Sequence, residues 1–213
     1  METPLSIPVV GGQVSGLLLR PDDAKALYVF AHGAGVGMNH PSMASNAHGL
    51  AERGIATLRF QFPYMEKGGG RPDPPGIAHA TIRATVTKAA ELAPELPLFA
   101  GGRSYGGRMT SQAQSVAPLP GVRGLVFLGF PLHPAGKPGI ARAEHLARVE
   151  VPMLFVSGDR DALAEMELLR PVVEGLGERA TLHVVAGADH SFRVAAREAE
   201  ALGALAAWML ARA

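Results

Sequence analysis

An uninterrupted apolar run, Ala26-Leu27-Tyr28-Val29-Phe30-Ala31, begins a succession in which strand-like and helix-like segments alternate to the end of the chain. A strand with one wet face places a polar residue at every second position, so a run without alternation suits a strand covered on both faces. The pattern predicts further strands at Ile55–Phe60, Leu96–Ala100, Gly124–Leu128, Met153–Val156 and Ala180–Val185. Helical patterns separate them at Pro41–Arg53, Ile77–Leu92, Tyr105–Val116, Arg142–Arg148 and Leu163–Glu174, with a last helix at Val194–Ala211. Ahead of these, Leu5–Val10 and Val14–Leu19 flank Gly11-Gly12, a hairpin signal. The expected fold class is α/β: a mostly parallel sheet with an N-terminal antiparallel hairpin and helices on both faces. With 213 residues the expectation is one domain spanning residues 1–213.

Ligands in such folds gather at the carboxyl ends of the strands, so the residues just after each strand carry the functional reading. One apolar strand ends in Gly101-Gly102-Arg103-Ser104-Tyr105-Gly106-Gly107, and a helical pattern starts at once. A G-x-S-x-G elbow needs small residues around the serine because the turn is tight and presses on its neighbours. The motif alone is weak in a chain with 26 glycines, and a Gly-rich turn with a capping serine is the bland alternative. Its position between a buried strand and a helix makes Ser104 the candidate nucleophile. A second strand ends in His32-Gly33-Ala34-Gly35, where a backbone amide can turn toward that serine. Ala34, with Gly35 next, and Tyr105 are the candidate oxyanion amides. A dinucleotide fingerprint fails here on spacing, since Gly37 falls one position short of G-x-G-x-x-G.

A nucleophilic serine needs a base, and the base needs an orienting carboxylate. His190, among eight histidines, lies in the loop between the last strand and the last helix. His32 reads as structural, His183 lies within a strand, and His40, His48, His79 and His145 fall on or next to helices. For the acid, Ser157-Gly158-Asp159-Arg160-Asp161 offers two candidates. Asp161 is favoured because its distance from Gly158 lets a loop carry the carboxylate back to the histidine. Asp159 is the alternative, with helix capping as its bland role.

Charge is nearly balanced at +1 and mixed along the chain, which argues against a nucleic-acid partner or a polybasic membrane anchor. No apolar stretch reaches the length of a membrane span. With no cysteine, disulfides, thiolate nucleophiles and Cys-based metal sites are excluded, and the histidines lack ligand-like spacing. No metal or other cofactor is expected. The cysteine-free composition and an N-terminus without a basic and apolar leader make the cytoplasm the expected location. Nothing in the sequence indicates an oligomeric state.

The chain resembles compact α/β-hydrolases related to dienelactone hydrolases. The resemblance rests on His32-Gly33-Ala34-Gly35, Leu58-Arg59-Phe60-Gln61-Phe62-Pro63-Tyr64 and Gly102-Arg103-Ser104-Tyr105-Gly106-Gly107-Arg108. It continues in Gly129-Phe130-Pro131-Leu132-His133-Pro134, Gly158-Asp159-Arg160-Asp161 and Asp189-His190. It implies a triad of Ser104, Asp161 and His190 without a cofactor. Dienelactone hydrolases proper use a cysteine nucleophile and this chain has none, so the expected reaction is hydrolysis of small acyl esters or thioesters in general. A peptidase or amidase using the same triad, and a silent scaffold that binds proteins, are the competing readings. Too few residues separate Leu128 from Met153 for an inserted cap domain, so an open site is expected, walled by Phe62–Gly70 and Pro131–Gly139. Gly35, Tyr64 and Leu132 are the candidate substrate contacts, with Phe60 and Phe62 as further apolar lining or core. Arg103 and Arg108 flank the nucleophile and read first as structural partners of acids on neighbouring helices, second as a preference for an anionic substrate.

Overall fold

In the computed structural model, which describes residues 1–213, eight strands form one sheet. In chain order the elements are β1 (Glu2–Val9), β2 (Gly12–Leu19), β3 (Ala26–Ala31), α1 (Pro41–Ala51), β4 (Ile55–Phe60), α2 (Pro63–Glu66), α3 (Pro75–Leu92), β5 (Leu98–Arg103) and α4 (Tyr105–Val116). Then follow β6 (Val122–Leu128), a 3₁₀ segment (Ala141–Arg148), β7 (Met153–Gly158), α5 (Met166–Gly175), β8 (Ala180–Val185) and α6 (Ala195–Leu210). The sheet order is β1-β2-β4-β3-β5-β6-β7-β8. The hairpin β1–β2 joins antiparallel to β4, and every pair from β4 to β8 is parallel. This is the expected α/β-hydrolase architecture, and the connection from β6 to β7 carries no cap domain.

Period-two alternation survives inside the apolar runs and decides which layer each residue reaches. Leu27, Val29 and Ala31 of β3 join Leu125 and Phe127 of β6 in one buried cluster beneath α3, α4 and α5. Ala26, Tyr28 and Phe30 join Val126 and Leu128 in a second cluster beneath α1 and α6. Strands β3, β4, β5 and β7 are buried along their whole length, whereas on the edge strand β8 only Val185 is. No helix is long and apolar enough to cross a membrane.

Several predicted boundaries move for local reasons. The helix expected from Leu163 begins at Met166, because the Leu163 N–H is taken by Asp161 Oδ1 at 2.8 Å and the chain loops before it can wind. Arg142–Arg148 winds as 3₁₀ rather than α. The strand expected to stop at Ala100 runs on to Arg103, because Gly101 and Gly102 allow neighbouring strands to close on it. A Cβ on Gly101 would lie 1.9 Å from the Val126 carbonyl oxygen, and one on Gly102 would lie 2.4 Å from that of Ala31. One turn on, a Cβ on Gly106 would meet the same Ala31 oxygen at 2.5 Å. The first turn of α4 therefore rests on the backbone of β3.

That contact generates a stability prediction. Gly106→Ala forces backbone apart and lowers stability by about 3 kcal/mol, read from the urea midpoint. Gly139→Ala, with open space around its Cβ position, changes it by less than about 0.5 kcal/mol. Equal midpoints for the two variants would contradict the contact.

Candidate active site

The chain reverses between β5 and α4 through a single residue, Ser104, held at φ 50° and ψ −117°. Only glycine enters this region freely, so the serine is strained and the surrounding packing must hold it there. The Ser104 N–H donates to Leu128 O at the end of β6, and Ser104 O accepts from the Arg108 N–H, each at 3.1 Å. Both backbone groups are fixed, and the side chain stands at the carboxyl end of the sheet.

His190 reaches Ser104 from the β8–α6 loop, with Nε2 2.8 Å from Oγ. Its Nδ1 lies 2.8 Å from Asp161 Oδ2. A carboxylate only accepts, so Nδ1 carries the proton and Nε2 is left to accept from the serine hydroxyl. The Asp161 side chain is fully buried, and its second oxygen takes the Leu163 N–H, so both oxygens are satisfied. Asp159 points elsewhere: its Oδ1 accepts from the Gly187 N–H at 2.6 Å and braces the β8 loop. Of the two aspartates only Asp161 touches the histidine.

The loop that carries His190 is tied down from the opposite layer. Arg103 donates to the Ser191 carbonyl and, at 3.2 Å, to Asn46 of α1, which in turn bonds Glu198 of α6. Arg103 is therefore structural, as expected, although its partners are an amide and a carbonyl, with the acids Glu198 and Asp189 acting at longer range. Phe192, buried at φ 50°, anchors the far side of the loop.

The loop after β3 is scaffolded by residues 59–62. His32 is buried; its Nδ1–H donates to Gly33 O at 2.9 Å and its Nε2 accepts the Phe62 N–H at 3.1 Å. Both ring nitrogens are engaged in the neutral form, and burial drives the imidazole down to about 4. Gln61 Oε1 accepts from the Met38 N–H, and Arg59 donates to Met38 O, both at 2.8 Å, while its other end pairs with Glu2. Gly33 is thereby brought against the elbow, its Cβ position 3.7 Å from Ser104 Cβ. The Ala34 N–H has no acceptor in the protein. Tyr105, first residue of α4, has an N–H without an acceptor inside its own helix.

Two cavities meet at Ser104 and His190. The smaller, about 360 Å³, is lined by Gly33, Ala34, Val36, His40, Ser42 and Arg193 among others. The larger, about 730 Å³, is lined by Ala34, Tyr105, Met109, Pro131, Leu163, Asp73 and three arginines, Arg71, Arg108 and Arg142. The predicted substrate contacts are not brought together there. Leu132 is buried in the core, and its neighbour Pro131 faces the cavity instead. Tyr64 is buried with Phe62 and Tyr105, so the aromatic residues Phe60, Phe62 and Tyr64 are core, not lining. Gly35 makes the turn at φ 77°, exposed and outside both cavities. The first wall comes from Arg71–Pro75, just past the expected Phe62–Gly70. Sequence reasoning did not single out Arg71 or Arg142, whose neighbours carry no motif. Arg108 alone had a signal, one helical turn after the serine. No three His, Asp or Glu side chains converge in a manner that could hold a metal ion.

Solved structures with this fold include a dienelactone hydrolase from Anabaena variabilis, 22% identical over 100% of this chain and 96% of that one, with a TM-score of 0.78. An alpha-beta serine hydrolase homologue from Coxiella burnetii is 21% identical over 97% of both chains, TM-score 0.78. Est1E from Butyrivibrio proteoclasticus is 17% identical over 98% of both, TM-score 0.77. At these identities the likeness is one of fold. The family follows from the sequence itself: residues 24–211 match the model of the alpha/beta hydrolase domain, and the chain belongs to that family.

Proposed function

We propose that the protein is a serine hydrolase that cleaves small acyl esters or thioesters through Ser104, His190 and Asp161. The observation that carries this reading is the continuous hydrogen-bonded line from Ser104 Oγ through His190 to Asp161, each link 2.8 Å, starting at a strained elbow. A buried carboxylate, a histidine in one tautomer and a half-buried hydroxyl at a cavity wall form the set that activates a serine. A cold-adapted esterase from an Arctic intertidal metagenomic library and the esterase domain of a Rhodothermus marinus protein, both of similar fold, support ester cleavage.

In the first half-reaction Ser104 Oγ attacks the acyl carbonyl carbon while its proton passes to His190 Nε2. Asp161 holds the ring in place and stabilises the imidazolium. The carbonyl electrons move onto oxygen, and the amides of Ala34 and Tyr105 take up that charge. Collapse expels the alcohol or thiol, which leaves with the proton from His190. Water then repeats the sequence on the acyl-enzyme, giving up its proton to His190 and releasing the acid with Ser104 restored. The cavities on either side of the serine accommodate the two halves of a small ester.

A fluorophosphonate probe labels the wild-type protein and leaves Ser104→Ala unlabelled; a folded wild type that resists the probe would overturn the assignment. On p-nitrophenyl esters, Ser104→Ala loses about six orders of magnitude in kcat and Asp161→Asn about four. Asp159→Asn costs about 1 kcal/mol of stability for its loop hydrogen bond and leaves turnover little changed.

The His32 imidazole generates a separate prediction. It is neutral in the fold down to about pH 4 but takes a proton below 6.5 once unfolded. The unfolded chain therefore binds more protons in that window, and stability falls as pH drops from 6.5 to 4. The loss from this one group is about 3 kcal/mol. Urea titrations at pH 7 and pH 4.5 read it, and His32→Gln removes its share while leaving that of His145, which burial also holds at about 4.

A further inference from the structure

Most of the partly buried arginines elsewhere in the protein have acceptors, Arg197 of α6 being the exception. Arg103 holds Asn46 and the Ser191 carbonyl, Arg59 holds Glu2 and Met38 O, and Arg83 holds the carbonyls of Ala113, Ala117 and Pro118. The three that line the larger cavity are different. Arg71, Arg108 and Arg142 make no salt bridge to any acid of the chain. The cavity's one lining carboxylate, Asp73, accepts the Tyr64 N–H at 2.8 Å.

Arg108 is the most confined of the three. Its Nε is buried without a hydrogen-bond partner, and its guanidinium lies 5.8 Å from the centroid of the Tyr105 ring. It stands one turn into α4, its backbone N–H donating to the Ser104 carbonyl, and both residues line the larger cavity. Burial and the like charge of Arg142 both work against its charged form. Nearby His145 is pushed down to about 4 by burial and then by Arg108, which keeps that imidazole neutral. Two half-buried guanidinium groups of like charge, without a counter-ion and beside a nucleophile, lack the partner that such groups need. A planar carboxylate matches the donor fork of an arginine, often at two bonds together.

We infer that the larger cavity is a carboxylate subsite, and that the preferred substrate is a short ester or thioester whose arm in this cavity ends in a carboxylate held by Arg108 and Arg142. Arg71 stands at the exposed rim and adds to the attraction. Of the two arginines flanking the nucleophile, Arg103 borders the smaller cavity but is engaged by Asn46 and the Ser191 carbonyl, whereas Arg108 lines the larger cavity without such partners. That this anion is a substrate rests on the proposed hydrolase activity; anion binding does not.

Two matched pairs of esters test it. One compares p-nitrophenyl hexanoate with the p-nitrophenyl monoester of adipic acid, which charges the acyl arm. The other compares phenyl acetate with 4-acetoxybenzoate, which charges the alcohol arm. The expected result is a kcat/KM preference for the charged member of one pair, carried mainly by KM and weakened by salt. Arg142→Glu lowers that preference by about tenfold to a hundredfold, the range of one charge-assisted hydrogen bond, while Arg142→Lys retains part of it. Arg142 is the test position because it is less enclosed than Arg108. A neutral preference in both pairs overturns the subsite.

Calorimetric titration of adipate into Ser104→Ala reads the same site without turnover. Binding that Arg142→Glu weakens at least tenfold supports the subsite, and its absence overturns it. Fluorophosphonate labelling separates the two readings: labelled protein that ignores charge loses the subsite alone, and unlabelled protein that binds adipate loses the hydrolase reading alone.

Discussion

The backbone of β3 lies against the elbow so closely that neither Gly102 nor Gly106 has space for a methyl group. Everything at the carboxyl end of the sheet depends on that approach. It holds Ser104 in a backbone conformation costing of order 1–3 kcal/mol, and it brings the His32–Gly35 loop beside the serine. Interior packing is dense and poorly compressible, so a strained residue can be held without drifting toward a relaxed turn. The two buried layers, one under α3, α4 and α5 and one under α1 and α6, supply the stiffness.

Much of this was legible from residue order. The run Ala26–Ala31 suited a doubly covered strand, and the glycines around Ser104, set between an apolar strand and a helical pattern, pointed to a tight turn. The chemistry at strand ends followed from that frame, because a parallel sheet delivers the ends of β3, β5, β7 and β8 to one edge. The preference for Asp161 over Asp159 also agrees with where the two carboxylates lie, one on His190 and the other on the Gly187 amide.

What residue order did not reveal has a common cause. Leu132 and Tyr64 follow strands just as Ser104 does, yet which neighbour faces the cavity depends on loop turns that carry no periodicity. Hence Pro131 lines the cavity and Leu132 the core. The start of α5 was misplaced because Asp161 draws the Leu163 amide away from a helix, an interaction invisible to helical patterning. The arginines behave alike in sequence and differ in space: Arg103 meets Asn46 and a carbonyl, while Arg108, five residues on, meets only aromatic and cationic neighbours. Long-range charge pairing is a property of the assembled sheet, and local reasoning does not reach it.

The Arg103 link from β5 through Asn46 to Glu198 has a bearing on how the protein is made. Ser104 precedes His190 by 86 residues, so the serine and its glycine cradle are synthesised before the histidine and the helix that steadies its loop. A chain without the β8–α6 loop therefore holds Ser104 in its turn with no imidazole beside the hydroxyl.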